Sequence, residues 1–154
     1  MGSQAPPNCN VIRLTEEHDM TTDAGLQFAL KAINKENHLL WVSIPCIGGL
    51  SFQEINRWKC NSSVYEERME GYKEQFDALW ANLVILASVN AANGGKLALE
   101  WPTGCKYWTY LEVNQLLKEL GCAKVHFHGC TLGLDAGNSD SPILKPWTIS
   151  TNEY

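Results

Sequence analysis

Residues 38–49 read HLLWVSIPCIGG. The first seven form a near-continuous apolar run, the pattern of a strand covered on both faces of a sheet. Pro45 ends the run, because its ring fixes φ and removes a backbone donor. Cys46 then stands on the turn, and Gly48 and Gly49 follow, where backbone can approach a ligand closely. A second stretch repeats the grammar. Residues 96–101, KLALEW, form an apolar run closed by Glu100, Trp101 and Pro102. Two strands that both end in proline, one carrying a thiol and the other an acid, set the fold and the candidate site together.

The elements around them follow from periodicity. Met69, Tyr72, Phe76, Leu79, Leu83, Leu86 and Asn90 recur at alternating steps of three and four, an amphipathic helix over about 65–92. Asn93-Gly94-Gly95 stops it. Residues 10–14, NVIRL, are a candidate first strand. Thr21-Thr22-Asp23 offers cap oxygens for a helix over about 22–34, with Leu26, Ala29, Leu30 and Ile33 on one face. Val113, Leu116, Leu117 and Leu120 mark a third helix, stopped by Gly121. Residues 123–130, AKVHFHGC, are a further strand. The segment 133–142 is a turn-rich loop, and 143–151 returns as a last strand, which Pro146 assigns to an edge or a bulge. The stretch between Pro45 and about residue 64 reads as loop.

The predicted order is β-α-β-α-β-α-β-loop-β. Alternation with helical crossovers implies an α/β fold: a three-layer, Rossmann-like, mainly parallel sheet with helices on both faces and a terminal antiparallel strand. One domain is expected over 10–154, after a loose lead-in at 1–9. In such sheets ligands bind beyond the carboxyl ends of the strands. Pro45-Cys46, Glu100-Trp101-Pro102 and Gly129-Cys130 all fall at that edge.

The composition bounds the function. The chain has 154 residues, 45% hydrophobic and 19% charged, which suits one globular domain. Its net charge is −5, so the basic footprint of a nucleic-acid binder is missing in bulk. A local basic surface could still form from Lys106, Lys118, Lys124 and Lys145. No apolar run reaches the ~20 residues needed to span a bilayer, and the N-terminus lacks a signal-peptide core. Six cysteines without a Cys-x-x-Cys pair read as mostly free thiols, which places the chain in a reducing, intracellular compartment, cytoplasmic or nuclear.

Each candidate residue has two readings. Cys46 on an exposed turn suits a nucleophile, but free cysteine is also a common buried hydrophobe. Glu100 could hydrogen-bond a ring nitrogen if burial raises its pKa; otherwise it is a solvated strand end or a helix cap. His126, His128 and Cys130 spell a set of zinc-ligand types, but no fourth ligand stands at a matching spacing, so no metal is assigned. Trp101, Tyr107, Trp108 and Tyr110 could stack on bases, or form core or a partner-facing patch.

These residues resemble the catalytic half of the DNA cytosine-5 methyltransferases. VSIPCIGGLSFQEIN at 42–56 is similar to that family's Pro-Cys region, and LALEWP at 97–102 to its Glu-Asn-Val region. His18-Asp19-Met20 is similar to the Gly-Asp-Ile turn that contacts the cofactor adenine. GCTLGLDAGNSDSPILKPWTIST at 129–151 is similar to the segment near the Gln-x-Arg-x-Arg motif. Chains of this type look like methyltransferase-like segments of some eukaryotic retroelement polyproteins. The resemblance implies Cys46 and Glu100 as catalytic residues and Asp19 and Pro45 as contacts of S-adenosylmethionine. Ser43, Gly48, Gly49, Trp101 and Lys145 would then line the substrate. The departures are Ile47 for Gln or Asn, Trp101-Pro102 for Asn-Val, the missing paired arginines, and no Phe-x-Gly-x-Gly turn before residue 11. They imply a degenerate domain that retains a nucleobase or nucleotide pocket and needs a cofactor half from elsewhere for methyl transfer.

Two other readings stand beside this one. The first is a cysteine-dependent hydrolase or transferase with His126 or His128 as base. The second is a non-catalytic interaction module that acts through a partner chain or as a homo-oligomer.

Overall fold

A computed structural model describes residues 9–33, 38–60, 62–133 and 144–153. Four α-helices and four strands occur among them. They run in the order α1 (Asp23–Ala32), β1 (Leu39–Val42), α2 (Phe52–Cys60), α3 (Ser63–Ala92), β2 (Lys96–Pro102), α4 (Leu111–Glu119), β3 (Ala123–His128) and β4 (Pro146–Thr151). The protein is α/β, with one mixed four-stranded sheet in the order β1-β2-β4-β3.

Local chemistry sets the helix ends. The Thr22 side chain accepts from the Gly25 amide and caps α1; Ser62 does the same for α3 through Tyr65. At the far end of α3, Gly94 takes φ +74°, the left-handed region that glycine favours. Asn90, buried in the last turn, donates from Nδ2 to the Lys96 carbonyl at 2.9 Å and so ties α3 to the start of β2.

The sheet is not mainly parallel. Only β1 and β2 run parallel; β4 lies between β2 and β3 and is antiparallel to both. Pro146 does not confine β4 to an edge, because it is the first residue of the strand, where its missing donor breaks no ladder. Residues 10–14 are not a strand: they carry no ladder partner, and Val11, Ile12 and Leu14 are exposed. The segment after Pro45 is not all loop. It contains α2, and α3 begins at Ser63. Of the loop expected at 133–142, only Gly133 lies within the described residues.

The described helices cover one face of the sheet. Leu97, Leu99 and Trp101 of β2 join Phe76, Trp80, Leu83 and Ala87 of α3 and Val113, Leu116 and Leu117 of α4 in the main core. Leu26, Ala29 and Ile33 of α1 pack with Leu86 of α3 in a second cluster, and Leu40 touches both. The other face carries Trp41, Ala98, Glu100, Ile149 and Val125, as the cross-strand pairing dictates. No side chain of that face belongs to either buried cluster. The expected helical layers on both faces are therefore one layer among the described residues. β1 accordingly alternates between exposed and half-buried positions and is an edge strand, not a strand covered on both faces.

Candidate functional site

The parallel pairing of β1 and β2 sets Val42 against Leu99. The next residue on each strand, Ser43 and Glu100, faces the side away from the main core. Ser43 Oγ donates to Glu100 Oε2 at 3.1 Å, a bond between residues 57 apart in sequence. Glu100 is buried, at 6% exposure, and its Oε1 has no hydrogen-bond partner. Burial pushes its carboxyl above the ordinary value; the Ser43 hydrogen bond and the charge of Lys145 offset part of that rise. Burial thus acts against the charged form, and Oε1 is the oxygen without a partner among the described residues.

Cys46 lies on the turn just beyond β1, half-buried against the main core. Burial raises its thiol pKa; its own backbone amide and Lys145 lower it, and the Glu100 charge raises it further. Cys46, Glu100 and Lys145 therefore share one electrostatic environment. Lys145 Nζ sits 4.2 Å from the centroid of Trp147, the residue that pairs with Pro102 across the β2–β4 ladder.

The remaining predicted site residues take different places. Trp101 points away from Glu100, as alternation on a strand requires, and is 1% exposed. Its indole N–H donates to the Ile44 carbonyl at 2.8 Å, so it supports the backbone just ahead of Pro45-Cys46 from the core side. Gly48 and Gly49 approach protein. A Cβ on Gly49 would lie 2.8 Å from Cys105 Sγ, and one on Gly48 would lie 2.6 Å from the Tyr107 hydroxyl. Pro45 is exposed. Asp19 is exposed, and its Oδ1 accepts from the Thr21 amide at 2.9 Å and from Thr21 Oγ1 at 2.7 Å, bonds that hold its carboxyl below the ordinary value. These bonds fix the turn that enters α1. One oxygen of Asp19 is committed to Thr21, and Pro45 has no N–H to offer a cofactor.

The aromatic residues near Cys46 form core. Trp101 and Trp108 meet edge to face at 4.9 Å, and Phe76 and Tyr107 lie 4.1 Å apart. Cys105 and Tyr107 close the turn from behind; burial pushes the Cys105 thiol up to about 11. The signal for this backing was the spacing from Trp101 to Tyr107, read only as a cluster. His126 lies on β3, at the opposite end of the sheet from β1, and its Nδ1 bonds Thr148 Oγ1 at 2.8 Å. Three strand spacings, about 14 Å, separate those two strands, so this imidazole is not placed to serve Cys46 as base. No group of three metal-ligating side chains occurs among the described residues. Cys9, Cys46, Cys105, Cys122 and Cys130 are free thiols. No described helix is long and apolar enough to cross a membrane.

Compared with protein families, with curated proteins and with solved structures, the chain matches none.

Proposed function

We propose that the chain is a degenerate cytosine-5 methyltransferase-like domain that retains a base site at the tips of β1 and β2. The observation that carries this reading is Glu100, a buried acid held by Ser43 through one oxygen, with the other unpartnered. A protonated carboxyl donates a hydrogen bond to a ring nitrogen that carries no hydrogen, and cytosine N3 is such an acceptor. Uracil and thymine present N–H at the same position, so a protonated acid discriminates against them.

Cys46 would supply the covalent step. Its thiol first loses a proton to solvent, and Sγ then adds to C6 of the base. The C5–C6 electron pair shifts through C4 towards N3, which takes the proton from Glu100. The product is a neutral C6 adduct that keeps a C4=C5 double bond, and Lys145 stands near the carboxylate left behind. No methyl step is included in this reading, since that step needs a cofactor half from elsewhere.

Titration of the protein with 2′-deoxycytidine, followed by nuclear magnetic resonance, tests the reading. Shifts at Ser43, Cys46 and Glu100 that weaken as pH rises through the Glu100 pKa support it. Equal response to thymidine, or a response that Glu100→Ala leaves intact, would overturn it.

A further inference from the structure

The two edges of the sheet are built differently. β3, at one edge, carries Lys124, His126 and His128, all exposed. Such groups discourage another strand from adding on. β1, at the other edge, reads Leu-Leu-Trp-Val and has no charge and no proline within the strand. Among the described residues it pairs only with β2. Leu39 and Trp41 stand 52% and 49% exposed on the face away from the core. An uncharged apolar edge with half its side chains in water is the arrangement that recruits a further strand.

We propose that β1 is a self-association edge, where a second copy of this chain adds its own β1 in antiparallel orientation to make one continuous eight-stranded sheet. The choice of a second copy rests on self-complementarity. A twofold axis normal to the sheet pairs like face with like face, so Trp41 meets the Trp41 or the Leu39 of the other copy. Leu40 and Val42 then meet their counterparts on the core side. Within Leu39–Val42 every side chain is apolar, and cross-strand aromatic and aliphatic pairs are the favourable ones; Ser43 or His38 completes the seam, according to the register. A charged partner strand would gain nothing from this edge.

The same axis leaves the helices of both copies on one side and both Glu100-bearing faces on the other. β2, β1, β1 and β2 are then consecutive, so the two Glu100 rows lie three strand spacings apart, about 14 Å across the strands. The association depends on backbone pairing and on Trp41, and it does not need Cys46 or Glu100. It stands or falls apart from the base-site reading.

The test is molar mass by light scattering after size exclusion, over about 1 to 500 μM protein. The wild type is expected to move from monomer to dimer within that range. Trp41→Lys is expected to remain monomeric, because charge then meets charge at the seam. Val125→Lys places the same charge on the same face, on β3, and is expected to dimerise as the wild type does. Leu39→Lys repeats the first arm if Trp41→Lys fails to fold, judged by circular dichroism. A wild type that stays monomeric throughout overturns the proposal. So does dimerisation that survives Trp41→Lys and Leu39→Lys, or that Val125→Lys abolishes equally, since the contact is then elsewhere on the molecule.

Discussion

Replacing Trp101 with phenylalanine removes one donor and part of one ring from the place where the core meets the candidate site. The indole N–H is the group that satisfies the Ile44 carbonyl, and Ile44 is itself buried. Leaving that carbonyl without its partner costs about 1–3 kcal/mol. The smaller ring leaves a void among Phe76, Trp80, Tyr107 and Trp108, whose centroids lie 4.9–6.3 Å from that of Trp101. An incompletely filled void of this kind adds about 1 kcal/mol. The total is about 2–4 kcal/mol, or roughly 4–16 °C in Tm for a domain of this length. Urea unfolding and calorimetry read the change directly. Trp58→Phe is the control: Trp58 is 92% exposed, and its replacement should stay within about 0.5 kcal/mol of wild type. The loss at Trp101 should also loosen the Pro45-Cys46 turn and speed labelling of Cys46 by a thiol reagent. A Trp101→Phe protein as stable as wild type, with unchanged labelling, would refute the reasoning that this indole braces the turn.

Other predictions rest on separate residues. Glu100 has a folded-state pKa above its unfolded value, so the folded protein binds more protons than the unfolded chain between those two values, and stability falls as pH rises through that window. Glu100→Gln should flatten that part of the stability profile, measured by urea unfolding across pH, and should be the more stable protein at neutral pH. Gly49→Ala should cost about 1–3 kcal/mol by denaturant unfolding, because the new Cβ would press on Cys105 Sγ and on the Tyr107 ring. Thr22→Ala should lose about 1 kcal/mol in the same assay, since it removes the acceptor for the Gly25 amide at the start of α1. Native-state labelling at neutral pH should spare Cys105, which is 3% exposed and whose thiol is raised to about 11.

Much of the architecture was legible because the signals were strong and local. The three-and-four spacing from Met69 to Asn90, the glycines after it and the apolar run at 96–101 each point to one element, and each element is present. What misled was information that a single strand does not carry. HLLWVSI reads as a strand covered on both faces, but coverage depends on neighbours, and among the described residues β1 has a ladder partner on one side alone. NVIRL has strand-forming residues but, among the described residues, no ladder partner. The placement of β4 between β2 and β3 is a long-range choice, settled by pairing such as Glu100 with Ile149 and Val125 with Ile149, not by Pro146. α2 was missed because Gly48, Gly49 and the polar residues around it suggested loop, although Phe52, Ile55 and Trp58 repeat at a spacing of three.

The candidate site was legible in part. Alternation along β2 places Glu100 and Trp101 on opposite faces, so the two could not both line one pocket; the sequence alone already contained that constraint. The Ser43 hydrogen bond was not readable, because it depends on the parallel register of β1 and β2. Nor was the backing of the glycine turn by Cys105 and Tyr107, which joins residues more than fifty positions apart.

The central claim is that Cys46 and Glu100 act on the same base. Intact-mass spectrometry after incubation with a short single strand carrying 5-azacytosine tests it most directly, since a nitrogen at position 5 makes C6 a stronger electrophile towards the thiol. The account predicts one added oligonucleotide per chain, mapped to Cys46, absent in Cys46→Ser and formed roughly 10²-fold more slowly in Glu100→Gln. No adduct, an adduct on another cysteine, or one indifferent to Glu100 would contradict it.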